Sequence, residues 1–405
     1  MQSNFISMKI SSLLTAVFST VLLCACHISG QDTALNYKIG YQIVIDAGSS
    51  GTRAHVYQIE DGGSMPRITD LYEASNSVAL SGFVNDPEAA GPTAIQPLLN
   101  DVENFLSSTS YPIPASQVTT SVLGTAGMRT LSASDQARIY RGVSDTIAAA
   151  KLPIGQVGTI SGQLEGLYSW IDVNYLQNNF NVPNATTGIV DIGGASAQVV
   201  FAAAGAASTT PSATAQTLLV ELNGYVYAVV SATFLGLGQD SARDQMNAGA
   251  NSNQCYPTGY SNATISGAYH FSVCAKNYDL VLSNDGYAAL QQIKTVPGFY
   301  RTPFSGLNSV YYALSFWNIA AHPSQQLLEQ NISATCTTPY AQLSNTYPGA
   351  YKLYNQCANA TYIDRFLYAD LALADNQLSA LNNVNGHALN YTLGYVLLGS
   401  MRRVV

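Results

Sequence analysis

Two stretches of this chain carry the same pattern of hydrophobic and polar positions. In the first, the apolar run Ile43-Val44-Ile45 stops at Asp46-Ala47-Gly48-Ser49-Ser50-Gly51-Thr52-Arg53; a second run follows, with Ala54, Val56 and Gln58 on one side and His55, Tyr57 and Ile59 on the other. Alternation of period two around small residues predicts strand, tight turn, strand. Further along, Gly188-Ile189-Val190-Asp191-Ile192-Gly193-Gly194-Ala195-Ser196 repeats the pattern, and Gln198-Val199-Val200-Phe201 supplies its second strand. Two copies of one unit predict two related half-domains facing one another.

The segments between and after them fill in a mixed α/β chain. Ile95, Leu98, Leu99, Val102, Phe105 and Leu106 fall on one helical face, as do Ile139, Val143 and Ile147 after a start at Ser134-Asp135. Residues 118–123 read as a buried strand ending at Gly124-Thr125-Ala126-Gly127-Met128-Arg129. After Ser161-Gly162-Gln163, the residues Leu164, Leu167, Tyr168, Ile171 and Tyr175 mark an apolar helical stripe, with Glu165 off the stripe in the first turn. Asn223-Gly224 between two alternating apolar runs predicts a β-hairpin. Residues 202–216, rich in Ala, Ser and Thr, predict a flexible loop, and 388–401 a final apolar helix.

Composition changes this picture in one respect. The chain has 405 residues, 47% of them apolar and only 10% charged, with a net charge of −8 and 26 tyrosines. Such a chain is too apolar to be disordered and lacks the basic face of a nucleic-acid binder. Its length suggests two or three domains. The sparse charge raises the question of a membrane, but only residues 13–26, after Lys9, form a continuous apolar run, which is short for a span and suits a secretion signal over residues 1–26. The best later rival, 218–238, is broken by Glu221, Asn223 and Gly224. Leu23-Cys24-Ala25-Cys26 resembles a bacterial lipoprotein cleavage box, which makes Cys26 a candidate for a lipid anchor. The expected product has no membrane span and is secreted or held in the periplasm or cell envelope. Beyond the signal stand Cys255, Cys274, Cys336 and Cys357, an even count that implies disulfides in an exported chain. Three pairings are open; the sequential one closes the shortest loops. No pair has metal-ligand spacing.

The two turns suggest the chemistry. Gly and Ser in a tight turn expose successive backbone N–H groups as an anion-binding concavity, and Ser49, Ser50, Thr52 and Ser196 add hydroxyls. Each turn begins with a carboxylate, Asp46 or Asp191, which would repel a phosphate unless a cation lay between them. A divalent ion held by both, through water, resolves this; Mg²⁺ suits it, and Ca²⁺ remains open. No Gly-Lys-Ser/Thr follows either turn, which disfavours a P-loop. Glu165 is placed to accept a proton from a water attacking phosphorus.

These segments together resemble the ecto-apyrase family, the nucleoside triphosphate diphosphohydrolases of the actin, hexokinase and sugar-kinase superfamily. The resemblance runs through 46–53, 125–129, Glu165-Gly166-Leu167-Tyr168-Ser169-Trp170 with Asn174-Tyr175-Leu176, 191–198, Phe234-Leu235-Gly236-Leu237-Gly238 with Ala242-Arg243, and Leu393-Gly394-Tyr395. It implies two ribonuclease-H-like domains with mixed sheets flanked by helices and an active site in the cleft between them, one domain formed by 37–165 with 387–405 and the other by 166–386. It implies Glu165 as catalytic base, with Ser196 and Gln198 positioning the water. Ser49, Ser50, Gly51, Thr52 and Arg53 would grip one end of the phosphate chain and Gly193, Gly194 and Ala195 the other, with Thr125 and Ala126 lining the site. Asp46 and Asp191 would hold the metal's waters, and Arg129 would play a structural part by pairing with a cleft carboxylate. Asn318, beside Phe316-Trp317, and Tyr351 and Tyr354, just before Cys357, fall where the family sandwiches the base. Two positions depart from the family pattern: Gln163-Leu164 stands where Lys-Glu is frequent, and Ala197 where Thr is usual. The implied substrates are nucleoside tri- and diphosphates, acted on by a monomer. An exopolyphosphatase-like hydrolase and a catalytically silent nucleotide-binding surface protein are the alternatives.

Overall fold

The anticipated strand–turn–strand units form as read, and each seeds a sheet. In the computed structural model, residues 38–401 are described apart from 62, 109–111, 183, 205–213 and 286. The signal segment with its candidate lipid anchor at Cys26, and most of the loop expected over 202–216, lie outside the described residues.

The first sheet contains β1 (Lys38–Ala47), β2 (Thr52–Asp61), β3 (Arg67–Asn76), β4 (Val118–Gly124) and β5 (Ile154–Thr159), in the order β3-β2-β1-β4-β5. The second contains β6 (Gly188–Ile192), β7 (Ser196–Ala202), β8 (Ala215–Leu222), β9 (Tyr225–Leu235), β10 (Phe304–Asn308) and β11 (Leu378–Ala380), in the order β11-β10-β6-β7-β9-β8. Remove β8, and the second sheet has the connectivity of the first: an antiparallel hairpin pair at the centre, a further antiparallel strand on one side, two parallel strands on the other. The expected pair of ribonuclease-H-like, mixed-sheet halves is what the chain builds. Strands β8 and β9 meet through Asn223-Gly224, both at positive φ (52° and 77°), as the hairpin signal required. A two-stranded ribbon, β12 (Asn383–Val384) and β13 (His387–Ala388), precedes the last helix.

Side chains alternate across β1 and so join two cores. Ile43 and Ile45 pack with α1 (Gln96–Ser108) and α3 (Ala133–Ala149), which follows the single helical turn α2 (Ala126–Arg129). The start of α3 lies two residues before the expected one, because Ser132 accepts the N–H of Asp135 and so caps the helix. Val44 points the other way, into a core shared with Ile189 of β6, α4 (Gly162–Leu176) and α12 (Tyr391–Met401). The stripe expected on α4 is corrected here. Residues 166–174 are all buried, and Leu164 and Tyr175 are only half-buried, because the helix is covered by β7 and β9 on one side and α12 on another. The two helices touch so closely that a Cβ at Gly394 would lie 2.1 Å from the Tyr168 carbonyl oxygen. That approach leaves room only for glycine.

The far face of the second sheet is covered by α5 (Gln239–Ala248), α6 (Phe271–Asp285), α7 (Tyr287–Lys294), α8 (Ser309–Ser315), α9 (Gln325–Cys336) and α11 (Gln356–Asp364), with the short α10 (Tyr340–Thr346) between the last two along the chain. Cys255–Cys274 and Cys336–Cys357 tie this layer together, the sequential pairing. Among the described residues no helix is long and apolar enough to cross a membrane.

One buried charge in this layer gives a stability prediction. Asp364 at the end of α11 is fully buried, with Arg365 Nη1 3.7 Å from Oδ2 and Gln325 as a weak hydrogen-bonding neighbour. Burial, with Glu329 adding to it, pushes this carboxyl up to about 7. A folded-state value above the unfolded one gives a stability contribution that is full in acid and lost as pH rises through 7. The thermal midpoint of the wild type is therefore expected to fall between pH 6 and pH 8 by more than that of Asp364→Asn; parallel curves would contradict the assignment.

Candidate active site

The two repeated turns close with one register. Asp46 pairs with Arg53 and Ala47 with Thr52 across β1 and β2; Asp191 pairs with Gln198 and Ile192 with Ala197 across β6 and β7. Inside each turn the first glycine donates back across it, Gly48 N to Gly51 O at 2.9 Å and Gly193 N to Ser196 O at 3.0 Å. The turns lie close together: a Cβ on Gly194 would come within 2.8 Å of Ser49 Oγ. The carbonyls of the second turn are drawn back towards α5, Gly193 O accepting from Gln239 N at 2.8 Å and Gly194 O from Asp240 N at 2.9 Å. Among the described residues no acceptor meets the backbone N–H of Ser49, Ser50, Gly51, Gly194 or Ala195. Rows of N–H groups in this state are what an anion needs.

Thr52 sits differently from expectation. Its side chain is fully buried and its hydroxyl donates to the Val78 carbonyl at 2.6 Å, so it fixes the turn rather than offering a donor to a ligand. Arg53 is half exposed, 3.9 Å from Asp46 Oδ2. Thr125 and Ala126 are buried against the first turn, Thr125 N donating to the Ala47 carbonyl at 3.2 Å.

Glu165 enters the site from the first turn of α4, where Ser161 caps the helix by accepting the N–H of Leu164. Its Oε2 accepts from Arg129 Nη1 at 2.7 Å, while Arg129 Nη2 donates to Ser196 Oγ at 2.9 Å. Ser196 Oγ also accepts from Gln198 Nε2 at 2.8 Å, which leaves the serine's own proton to donate. One guanidinium thus links Glu165, Ser196 and, through serine, Gln198. The expected partner of Arg129 was a cleft carboxylate; that carboxylate is Glu165 itself, so Arg129 belongs to the site. Burial pushes the Glu165 carboxyl up to about 7; Arg129 pulls it back, and Asp191 and Asp46 add to the rise. A carboxylate near neutrality is suited to taking a proton.

Asp46 and Asp191 are raised by burial too, Asp46 further by the charge of Asp191. Asp46 Oδ1 accepts from Tyr391 Oη at 2.8 Å; Asp191 accepts from Asn308 Nδ2 at 2.6 Å and Ser169 Oγ at 3.1 Å. The charge of Asp191 thus raises both Asp46 and Glu165, and that of Asp46 raises Glu165, a strain that a divalent cation would relieve. Among the described residues no three acidic, histidine or cysteine side chains gather tightly enough to ligate one directly. Two held carboxylates therefore fit an ion that keeps most of its waters.

The residues expected around a nucleotide base lie on two segments that meet where the rings of Phe316 and Tyr347 pack 4.7 Å apart. Asn318 is exposed at positive φ (58°), and Tyr351 is 78% exposed with Lys352 Nζ 5.0 Å from its ring centre. Tyr354 has one face already taken, stacked on Tyr260 with centroids 5.0 Å apart. Tyr391, Asn308 and Ser169 were not singled out from the sequence. Nothing in their local pattern distinguishes them, since the contact partners of Tyr391 and Asn308 lie far away along the chain.

Comparison with known proteins gives the family and the fold. A model of the GDA1/CD39 (nucleoside phosphatase) family matches residues 33–403. Ectonucleoside triphosphate diphosphohydrolase 2 of Mus musculus is 26% identical over 98% of this chain and 89% of its own length. Golgi apyrase of Saccharomyces cerevisiae is 26% identical over 88% of this chain and 70% of its own length. Among solved structures, nucleoside triphosphate hydrolases from Neospora caninum superpose with a TM-score of 0.67 at 16% identity, over 91% of this chain and 93% of theirs. The Aquifex aeolicus member of the Ppx/GppA protein family does so with 0.51 at 14% identity, over 90% and 99%. At such identities the two structures speak for the fold.

Proposed function

The chain belongs to the GDA1/CD39 (nucleoside phosphatase) family, and from that premise we propose that it is an apyrase, hydrolysing the terminal phosphate of nucleoside tri- and diphosphates with the help of a divalent cation. The observation that carries this reading is Glu165, lifted towards neutrality and held by Arg129 beside two facing turns with free N–H groups.

In this reading the phosphate chain lies between the turns. N–H groups of Ser49, Ser50 and Gly51 hold one end, those of Gly194 and Ala195 the other, with Ser49 and Ser50 hydroxyls and Arg53 nearby. Phosphoryl transfer demands positioning and charge stabilisation more than covalent help. Asp46 and Asp191 would hold Mg²⁺ or Ca²⁺ through water; when bound, the ion offsets phosphate charge. Ser196, braced by Arg129 and Gln198, orients a water towards Glu165. As the water oxygen bonds to the terminal phosphorus, its proton passes to Glu165, the bridging P–O bond breaks, and the shortened nucleotide leaves with that bond's electrons. Tyr351 offers an open ring face on which a base can stack, with the free face of Tyr354 and the exposed Asn318 as the other candidates. Stacking of this kind discriminates weakly among bases. Export, and action as a monomer, complete the reading.

The test is a panel of nucleoside tri-, di- and monophosphates and inorganic polyphosphate, assayed for phosphate release with Mg²⁺, with Ca²⁺ and with chelator. Release from tri- and diphosphates that stops on chelation is expected. Release from polyphosphate alone would replace this reading with the polyphosphatase alternative, and release from nothing with a silent nucleotide binder.

A further inference from the structure

The start of α12 is held from three sides. Asn390 N donates to Asp172 Oδ2 on α4 at 2.8 Å. Tyr57 Oη on β2 donates to Asn390 Oδ1 at 2.8 Å and lies 2.7 Å from Thr392 Oγ1. Between Asn390 and Thr392 stands Tyr391, buried, whose hydroxyl reaches Asp46 Oδ1 at 2.8 Å and the Leu123 carbonyl at 3.2 Å. Leu123 is the residue of β4 directly beside Asp46 of β1, so one hydroxyl bridges both strands where they enter the site. The carboxylate is the stronger acceptor of its single proton. Asp46 Oδ2 stays on the side of the turn, 3.9 Å from Arg53 Nη1.

We propose that Tyr391 is the positioning residue of the cation site: it fixes Asp46 with one oxygen turned into the protein and the other towards the turn, and through α12 it ties that carboxylate to α4, the helix that carries Glu165. This rests on the reading of the site as a divalent-cation-dependent hydrolase. A ligand-orienting partner of this type is worth about 10- to 100-fold in metal affinity. Asp191 has two such partners on the other half, Asn308 and Ser169; Tyr391 is the neutral donor that serves Asp46.

The experiment titrates the full chain, without nucleotide, with Mn²⁺ and reads free ion by electron paramagnetic resonance, in wild type, Tyr391→Phe and Tyr57→Phe. Tyr57→Phe removes hydrogen bonds from the same helix start but none from Asp46. Tyr391→Phe is expected to bind Mn²⁺ about 10- to 100-fold more weakly and to need correspondingly more Mg²⁺ for half-maximal hydrolysis. Tyr57→Phe is expected to lower the thermal midpoint and leave Mn²⁺ affinity in place. Wild-type affinity in Tyr391→Phe, or an equal loss in both variants, overturns the proposal while the hydrolase reading stands. A wild type that neither binds Mn²⁺ nor hydrolyses nucleotides overturns both.

Discussion

Replacing Glu165 by glutamine is expected to lower kcat for nucleoside triphosphate hydrolysis by about 10²- to 10⁴-fold, the range for loss of a general base, with KM little changed. Glutamine keeps the shape of the side chain, and its amide oxygen can still accept from Arg129 Nη1, which now lies 2.7 Å from Oε2. What it cannot do is take a proton from water. Because that transfer exists only in the transition state, its loss falls on kcat and kcat/KM alike. Steady-state kinetics on the variant, with a thermal melt to establish folding, make the check. Wild-type kcat in this variant would remove Glu165 from the reaction.

Arg129→Met is expected to act through the same carboxylate. Arg129 and Glu165 are both largely buried, so removing the guanidinium leaves a carboxylate with no compensating charge. Such a group responds by holding its proton: losing a close opposite charge lifts a carboxyl by about 1–3 pH units, so activity at pH 7, where half of Glu165 is ionised in the wild type, falls by about 5- to 500-fold and recovers in part as pH rises. Ser196 also loses the donor at 2.9 Å that helps to aim it. Arg129→Lys keeps a charge but not the fork that reaches both groups, and is expected to fall between methionine and wild type. A methionine variant with wild-type activity and an unmoved pH profile would return Arg129 to the purely structural part first expected of it.

How far these groups could be read beforehand follows from where their partners lie. The strands and turns were legible because an alternating run that stops at Asp, Gly and Ser has few other foldings, and the repeat of that pattern gave the two-sheet architecture. Glu165 was legible because a helix start leaves its first-turn acid facing the preceding loop. The stripe on α4 misled, since a helix covered from two sides buries residues all round, polar Ser169, Asp172 and Asn174 among them, and no single apolar face marks the packed side. Thr52 looked like a ligand donor in a hydroxyl-rich turn; only the position of Val78, beyond the end of β3, shows where its proton goes. Tyr391 and Asn308 were invisible because each meets its aspartate from far along the chain, Asn308 from the neighbouring strand β10 and Tyr391 from a helix that reads as plain apolar filling. The pairing of Arg129 with a carboxylate was anticipated, but not that the carboxylate was the candidate base. The sparse charge also reads differently now: a phosphate site made of backbone N–H groups, hydroxyls and a cation held through water needs few basic side chains.

The central claim is that Glu165 accepts the proton of the attacking water. It is tested most directly by kcat/KM for a nucleoside triphosphate measured against pH, for wild type and Glu165→Gln side by side. The base works only when ionised, and burial sets its carboxyl at about 7 in the free protein. Wild-type kcat/KM should therefore fall as pH drops through about 7, and the residual rate of Glu165→Gln should lack that limb. A limb of the same midpoint in both proteins would contradict the account.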